Sequence, residues 1–300
     1  MEQLVSLVAI PHDLPIYLAI DIAITVVFLF LVRSISGMFS KVSVRSELGE
    51  KDNFAFGISL AGRMLALTIV LSAVFGRHVG EGYVDAALNM LLFGGLGILL
   101  VRIGRFAHDK LVLNRLDKSK MIGEKNVSVA IVDASAAVAS AIVVKSIIEW
   151  SQGADTNTFI AVFSGVIVVL VVLLFATRFY EYSFAENNQN SGFQRTLCNG
   201  QIALAIQHSG NLIGIAIAVS SASKILVYDP VTYVTNITGW LLTGIALAAS
   251  LMIINSISKR IVLMGISWRK EVALHHNIGI ASIEAAMSIG IASLFANVLF

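Results

Sequence analysis

Phe159-Ile-Ala-Val-Phe-Ser-Gly-Val166-Ile-Val-Val-Leu-Val-Val-Leu-Leu174-Phe-Ala-Thr-Arg178-Phe179 carries one charged residue, placed next to its end. About 20 consecutive, mostly apolar residues are needed to cross ~30 Å of hydrocarbon as a helix. This stretch has that length, and so do Leu14–Phe39 and, nearly, Trp240–Ile257. Lipid satisfies no backbone polar group, so only helices and closed barrels cross it. A barrel would show short alternating strands. These blocks do not alternate, and they predict transmembrane helices.

The whole chain agrees. Of its 300 residues, 57% are hydrophobic and 13% charged, with a mean hydropathy of +0.83. A soluble domain carries about 25% charged residues. Net charge is +2 with no basic cluster, so no nucleic-acid partner is expected. Cys198 is the only cysteine, which excludes an intrachain disulfide and any multi-cysteine metal site. Met1–Pro11 contains Glu2 but no Lys or Arg, and the first basic residue is Arg33, so the start does not read as a signal peptide.

Working outward, eight spans are expected at 14–39, 53–76, 83–106, 126–149, 157–180, 200–224, 232–257 and 277–299. The longest stretch between them, 107–125, is too short to fold alone. Arg33, Lys41, Arg45 and Lys51 flank the loop after span one. Arg102, Arg105, Lys110, Arg115, Lys118, Lys120 and Lys125 flank the loop after span three. Arg178 and Arg195 follow span five; Lys259, Arg260, Arg269 and Lys270 follow span seven. The positive-inside rule places these four loops in the cytoplasm and both termini outside.

The even spans begin alike: Asn53-Phe-Ala-Phe-Gly57, Asn126-Val-Ser-Val-Ala130 and Asn277-Ile-Gly-Ile-Ala281. Asn199-Gly-Gln-Ile-Ala-Leu-Ala205 is a looser fourth example, shifted by about two residues. At coarser grain the chain reads as two four-helix repeats, 1–150 and 151–300. Span two aligns with span six, and span four with span eight. Four spans per half give both halves the same orientation, related by an axis along the membrane normal.

The pattern of a short basic loop, Asn and a helix of small and apolar residues resembles the bacterial domain-of-unknown-function family 350, the YjfL-like inner-membrane proteins. It is carried by Glu50-Lys-Asp-Asn53 with Ser59-Leu-Ala-Gly62, Gly123-Glu-Lys-Asn126 with Ala130, and His276-Asn277 with Ala281. Two tandem copies would cover nearly the whole chain. Span four lacks the glycine of span two, and span three starts with Asp85. The resemblance implies a bacterial inner-membrane location and implies no activity.

Odd spans are bulky, as in Thr25-Val-Val-Phe-Leu-Phe-Leu-Val32; even spans are rich in small residues, as in Ala134-Ser-Ala-Ala-Val-Ala-Ser-Ala141. Ser282, Ala286 and Gly290 fall four apart, as do Gly210 and Gly214, a spacing that lets helix backbones approach closely in lipid. The even spans are therefore expected at the centre.

Ionisable residues at depth cost at least ~2.5–3.5 kcal/mol each, so each needs a reason. Asp133 and Glu284 both come seven residues after a helix-starting asparagine, two turns along and on the same face. The functional reading is a carboxylate pair facing a central cavity and binding a small cation or proton. The structural reading is a pair of acids locked by buried bases, with Arg63 the ready partner. His208 and Asn211, with Gln207, form a polar cluster in span six. His208 can change charge near neutrality, although such a histidine is more often a satisfied hydrogen bonder. Asn53, Asn126 and Asn277 are the polar helix starts. Nothing matches a hydrolase, zinc-protease or phosphate-loop motif, so no catalytic residue, metal or cofactor is expected. The expected function is a channel or ion-coupled carrier for a small cation or proton, in the bilayer and open to homo-oligomerisation. The alternative is a non-transporting subunit or scaffold that binds a cytoplasmic partner or anionic lipid.

Overall fold

A computed structural model describes residues 11–40, 42–76, 79–80, 82–151, 156–187 and 192–298. The N-terminal stretch before residue 11, Lys41, Arg77 and the end of the eighth expected span lie outside the described residues. Among the described residues the fold is all-helical, and eight helices are long and apolar enough to cross a membrane.

The long helices are α1 (Leu14–Ser40), α2 (Phe54–Leu71), α3 (Tyr83–Leu111), α5 (Val127–Trp150), α6 (Thr156–Asn187), α8 (Ile202–Ser220), α9 (Tyr233–Val262) and α11 (Ile278–Val298). Short helices α4 (Lys118–Gly123), α7 (Phe193–Cys198) and α10 (Trp268–Ala273) precede α5, α8 and α11. A π-helical turn, Ser46–Glu50, takes the corresponding place before α2. Three of the odd spans run five to seven residues past their expected ends: α3 to Leu111, α6 to Asn187 and α9 to Val262. Those turns carry charged side chains that hydropathy reads as loop, and several of them point inward.

A single local device starts each even helix. The residue just before the start has left-handed backbone: Asp52 (φ 47°), Lys125 (φ 63°), Gly200 (φ 80°) and His276 (φ 54°). An amide residue follows. Asn53, Asn126 and Asn277 each accept a hydrogen bond at Oδ1 from the backbone N–H three residues on, at 3.0, 3.0 and 3.1 Å. This satisfies one of the four N–H groups that every helix start leaves free. In the third case the register falls on Gln201. Asn199 lies two residues early, at the end of α7, and Gly200 supplies the left-handed turn.

The same amides tie neighbours together through Nδ2 or Nε2. Asn53 donates to the carbonyl of Ile122 in α4 at 3.0 Å. Asn126 donates to the carbonyls of Leu197 and Cys198 in α7 at 3.2 and 2.9 Å. Gln201 donates to the carbonyls of Val272 and Ala273 in α10, at 2.8 and 3.0 Å. Each start thus braces the short helix of the next.

The even helices pack in a row, α2 on α5, α5 on α8 and α8 on α11. Close approach depends on two equivalent glycines. A Cβ on Gly62 would lie 2.5 Å from the Ala134 Cα, and one on Gly210 would lie 2.3 Å from the Ala285 Cα. The odd helices turn Val26, Phe30, Phe163, Phe175, Leu242 and Ile253 outward, as lipid contact requires. The central position expected of all even spans holds for α5 and α8, each 72% buried over its apolar stretch, but not for the two ends of the row, α2 at 50% and α11 at 28%. Helix α11 ends the row with Ser282, Ala286 and Gly290 exposed. Small residues mark a surface fit for close packing, and the row simply stops there.

Candidate functional site

Asp133 and Glu284 are both fully buried, each two turns into its helix from the end that carries the short helices. Their surroundings differ. Asp133 on α5 is enclosed by cations. Oδ1 accepts from Arg105 Nη2 at 2.6 Å and from Lys118 Nζ at 2.7 Å. Oδ2 accepts from Ser59 Oγ at 2.5 Å, and Arg63 Nη2 stands 3.5 Å away. Arg63 also donates to Ser59 at 2.9 Å, and Lys118 pairs in addition with Asp109. Four elements, α2, α3, α4 and α5, therefore converge on one carboxylate, and both of its oxygens are engaged. A cavity of about 270 Å³ lies on the other side of Arg63, Arg105, Asp109 and Lys118, so the bases stand between the acid and that space.

Glu284 on α11 forms an ion pair with Lys259, and Arg269 lines the same cavity as Glu284. Its Oε2 accepts from Lys259 Nζ and, at 3.0 Å, from Gln207 Nε2. Its Oε1 has no hydrogen-bond partner in the protein. The residue lines a larger cavity of about 630 Å³ together with Gln207, His208, Asn211, Asn255 and Lys259. Asn211 and Asn255 line the same space, and the Oδ1 of each is likewise buried without a partner. Asn255 is held by its amide, which donates to Ser288 at 3.0 Å.

The two acids therefore do not share a cavity, contrary to the expectation of one central site. Spacing places equivalent residues at equivalent depth, but each faces its own surroundings. His208 lies between the two clusters, its ring 4.8 Å from Phe193 and 5.9 Å from His108. Among the helix starts, Asn53 and Asn126 bridge to the next short helix, and the Asn53 and Asn277 amides each donate to the acid six residues before, Glu47 at 2.8 Å and Glu271 at 3.0 Å. Outside the spans, Lys51 and the Asn53 amide hold the Glu47 carboxyl below its ordinary range, and the Asn277 amide with His275 does the same for Glu271.

Sequence reading missed Arg105 and Lys118 as partners of Asp133, with Asp109 paired to Lys118, and Lys259 and Asn255 beside Glu284. One signal was available. Arg105, His108 and Asp109 follow one another at i, i+3 and i+4, as do Asn255 and Lys259 at i and i+4, which is the spacing of one helix face. No group of three or more His, Cys, Asp or Glu placed to hold a metal occurs among the described residues.

This is an all-helical chain with eight membrane-crossing candidates and polar clusters buried near one end of the bundle. Residues 7–148 match the model of the family described as Domain of Unknown Function (DUF350), the family the sequence resembles. The match covers nearly half of the chain and includes Asn53, Arg63, Asn126 and Asp133. No curated protein and no solved structure matches the chain.

Proposed function

We propose that this is a bacterial inner-membrane protein that exchanges a proton or small cation at Glu284, as a channel or ion-coupled carrier, with Asp133 as its structural lock. The observation that carries the reading is that Glu284, Asn211 and Asn255 line one 630 Å³ cavity and that each has a buried acceptor oxygen, Oε1, Oδ1 and Oδ1, without a hydrogen-bond partner in the protein. Buried acceptors without a donor cost about 1–3 kcal/mol each and more when charged. A proton or small cation entering the cavity relieves that cost. A proton on Glu284 also frees Lys259, so the ammonium and the incoming proton compete for one carboxylate.

In this reading the end that carries the short helices, the Glu284 cavity and the four connecting loops face the cytoplasm and both termini lie outside, supported by the basic residues gathered around the short helices and the positive-inside rule. The same reading takes 1–150 and 151–300 as tandem copies of the four-helix domain. Its support is the recurring succession of long helix, short segment, left-handed residue, amide and long helix. A scaffold role is the alternative, and the dense ion pairing of Asp133 favours it for the first half.

Glu284→Gln keeps size and hydrogen bonding and removes the exchangeable charge. In liposomes carrying a pH or cation gradient, wild-type protein is expected to pass protons or small cations, and the variant to lose at least tenfold of that flux while remaining folded. Wild-type flux from the folded variant, or no flux from wild type across protons, Na⁺ and K⁺, overturns the reading.

A further inference from the structure

The row of even helices has two unlike ends, and each lacks a contact that the interior of the row makes three times. On the forward side, positions 2, 9 and 13 residues after the starting amide are small in every even helix. They are Ala55, Gly62 and Ala66 in α2; Ser128, Ser135 and Ala139 in α5; and Ala203, Gly210 and Gly214 in α8. All nine are buried. In α11 the same positions are Gly279, Ala286 and Gly290, and all three are exposed. A Cβ on Gly290 would meet nothing within 4 Å.

At the other end, the face of α2 that corresponds to the receiving faces of α5, α8 and α11 is open. The residue eight after the amide is Ala134 in α5 and Ala285 in α11, and these are the residues met by Gly62 and Gly210. In α2 it is Ala61, which is exposed, and Phe54 and Leu65 along the same stripe are 73% and 53% exposed. The amide bridge repeats the pattern. Asn53, Asn126 and Gln201 reach forward to carbonyls of the next short helix. Asn53 and Asn277 both donate to the acid of their own segment, Glu47 and Glu271, and among the described residues the Asn277 amide donates to that acid alone. Leu48 and Gly49, in the short segment before α2, are exposed.

We propose that a second copy of this chain docks in the same membrane with its α2 edge on the α11 edge of the first, continuing the row across the boundary. The occupant follows from continuity with the interface already used three times within the chain: small forward face against receiving face, and amide against short-segment carbonyl. Small faces drive helix association in lipid through close packing. A head-to-tail contact of this kind closes into a ring or runs on, according to the rotation per copy. This inference is independent of any transport by Glu284.

The test is disulfide trapping in native membranes in a Cys198→Ser background. Ala61→Cys on one tagged copy and Ala286→Cys on a differently tagged copy are co-expressed. The expected result is a cross-linked pair carrying both tags, with either variant alone giving at most a tenth of that yield. No cross-link in folded protein overturns the proposal, as does Ala286→Cys cross-linking to itself as efficiently, which would place α11 on α11. As a second readout, Gly290→Leu, whose side chain enters open space in the single chain, is expected to melt like wild type but lower the associated mass in lipid nanodiscs. Unchanged mass with Gly290→Leu counts against the proposal.

Discussion

Asp133→Asn is expected to destabilise the protein by about 3–5 kcal/mol, the usual cost of removing one partner from a buried ion pair. The change leaves Arg63, Arg105 and Lys118 facing one another with Asp109 as the remaining acid of the cluster. The asparagine can still accept from Ser59, so loss of charge rather than loss of shape causes the effect. Accumulation in the membrane should fall, and melting in detergent should shift well below wild type. Combining the change with Arg105→Gln removes one uncompensated cation and should recover part of the loss, because residues within one ion-pair network couple rather than add. A folded Asp133→Asn variant that melts like wild type shows that the cluster does not lock the helices.

Gly210→Val is expected to cost at least the ~1–3 kcal/mol typical of overpacking, and to do so without touching any charge. A Cβ at position 210 lies 2.3 Å from both the Cα and the Cβ of Ala285, so the obstacle is backbone and cannot rotate away. Helices α8 and α11 must move apart, which pulls Gln207 on α8 away from Glu284 on α11. Gly95→Val is the control, since a Cβ on Gly95 meets nothing within 4 Å. Thermal melting of the two variants should separate clearly, with Gly210→Val low and Gly95→Val near wild type. Equal melting temperatures would mean that the even helices do not approach as described.

The spans were legible because lipid imposes a length and a composition together, and blocks such as Phe159–Phe179 admit no other solution. The helix starts were legible because asparagine before an apolar run has a definite task, accepting from the backbone N–H three residues on. Depth equivalence of Asp133 and Glu284 also followed from simple counting. The partners of these acids did not. Arg105 counts as a flank of the cytoplasmic loop and Lys259 falls past the expected end of its span, yet α3 and α9 continue as helices and turn both side chains into the bundle. Lys118 was placed in a loop because a six-residue helix such as α4 leaves almost no periodic trace. Gln201 was obscured by Asn199, since which residue takes the left-handed turn depends on Gly200 and not on the asparagine itself. The order of helices in the row was beyond the sequence as well, because a small-residue stripe looks the same at the end of a row as in its middle.

Counting thus makes the two acids equivalent, and their neighbours make them different. Asp133 has both oxygens engaged beneath three cations; Glu284 lines a cavity and has one oxygen without a hydrogen-bond partner. A hydrophobic carbodiimide, which reacts with carboxyl groups that take up a proton in an apolar setting, tests this difference in one measurement. After treatment of the intact protein in membranes, mass mapping of the peptides containing positions 133 and 284 is expected to place the adduct on Glu284 and leave Asp133 unmodified. An adduct on Asp133, or an unmodified Glu284 in protein whose exposed carboxyls have reacted, would contradict the assignment of the exchangeable site to Glu284.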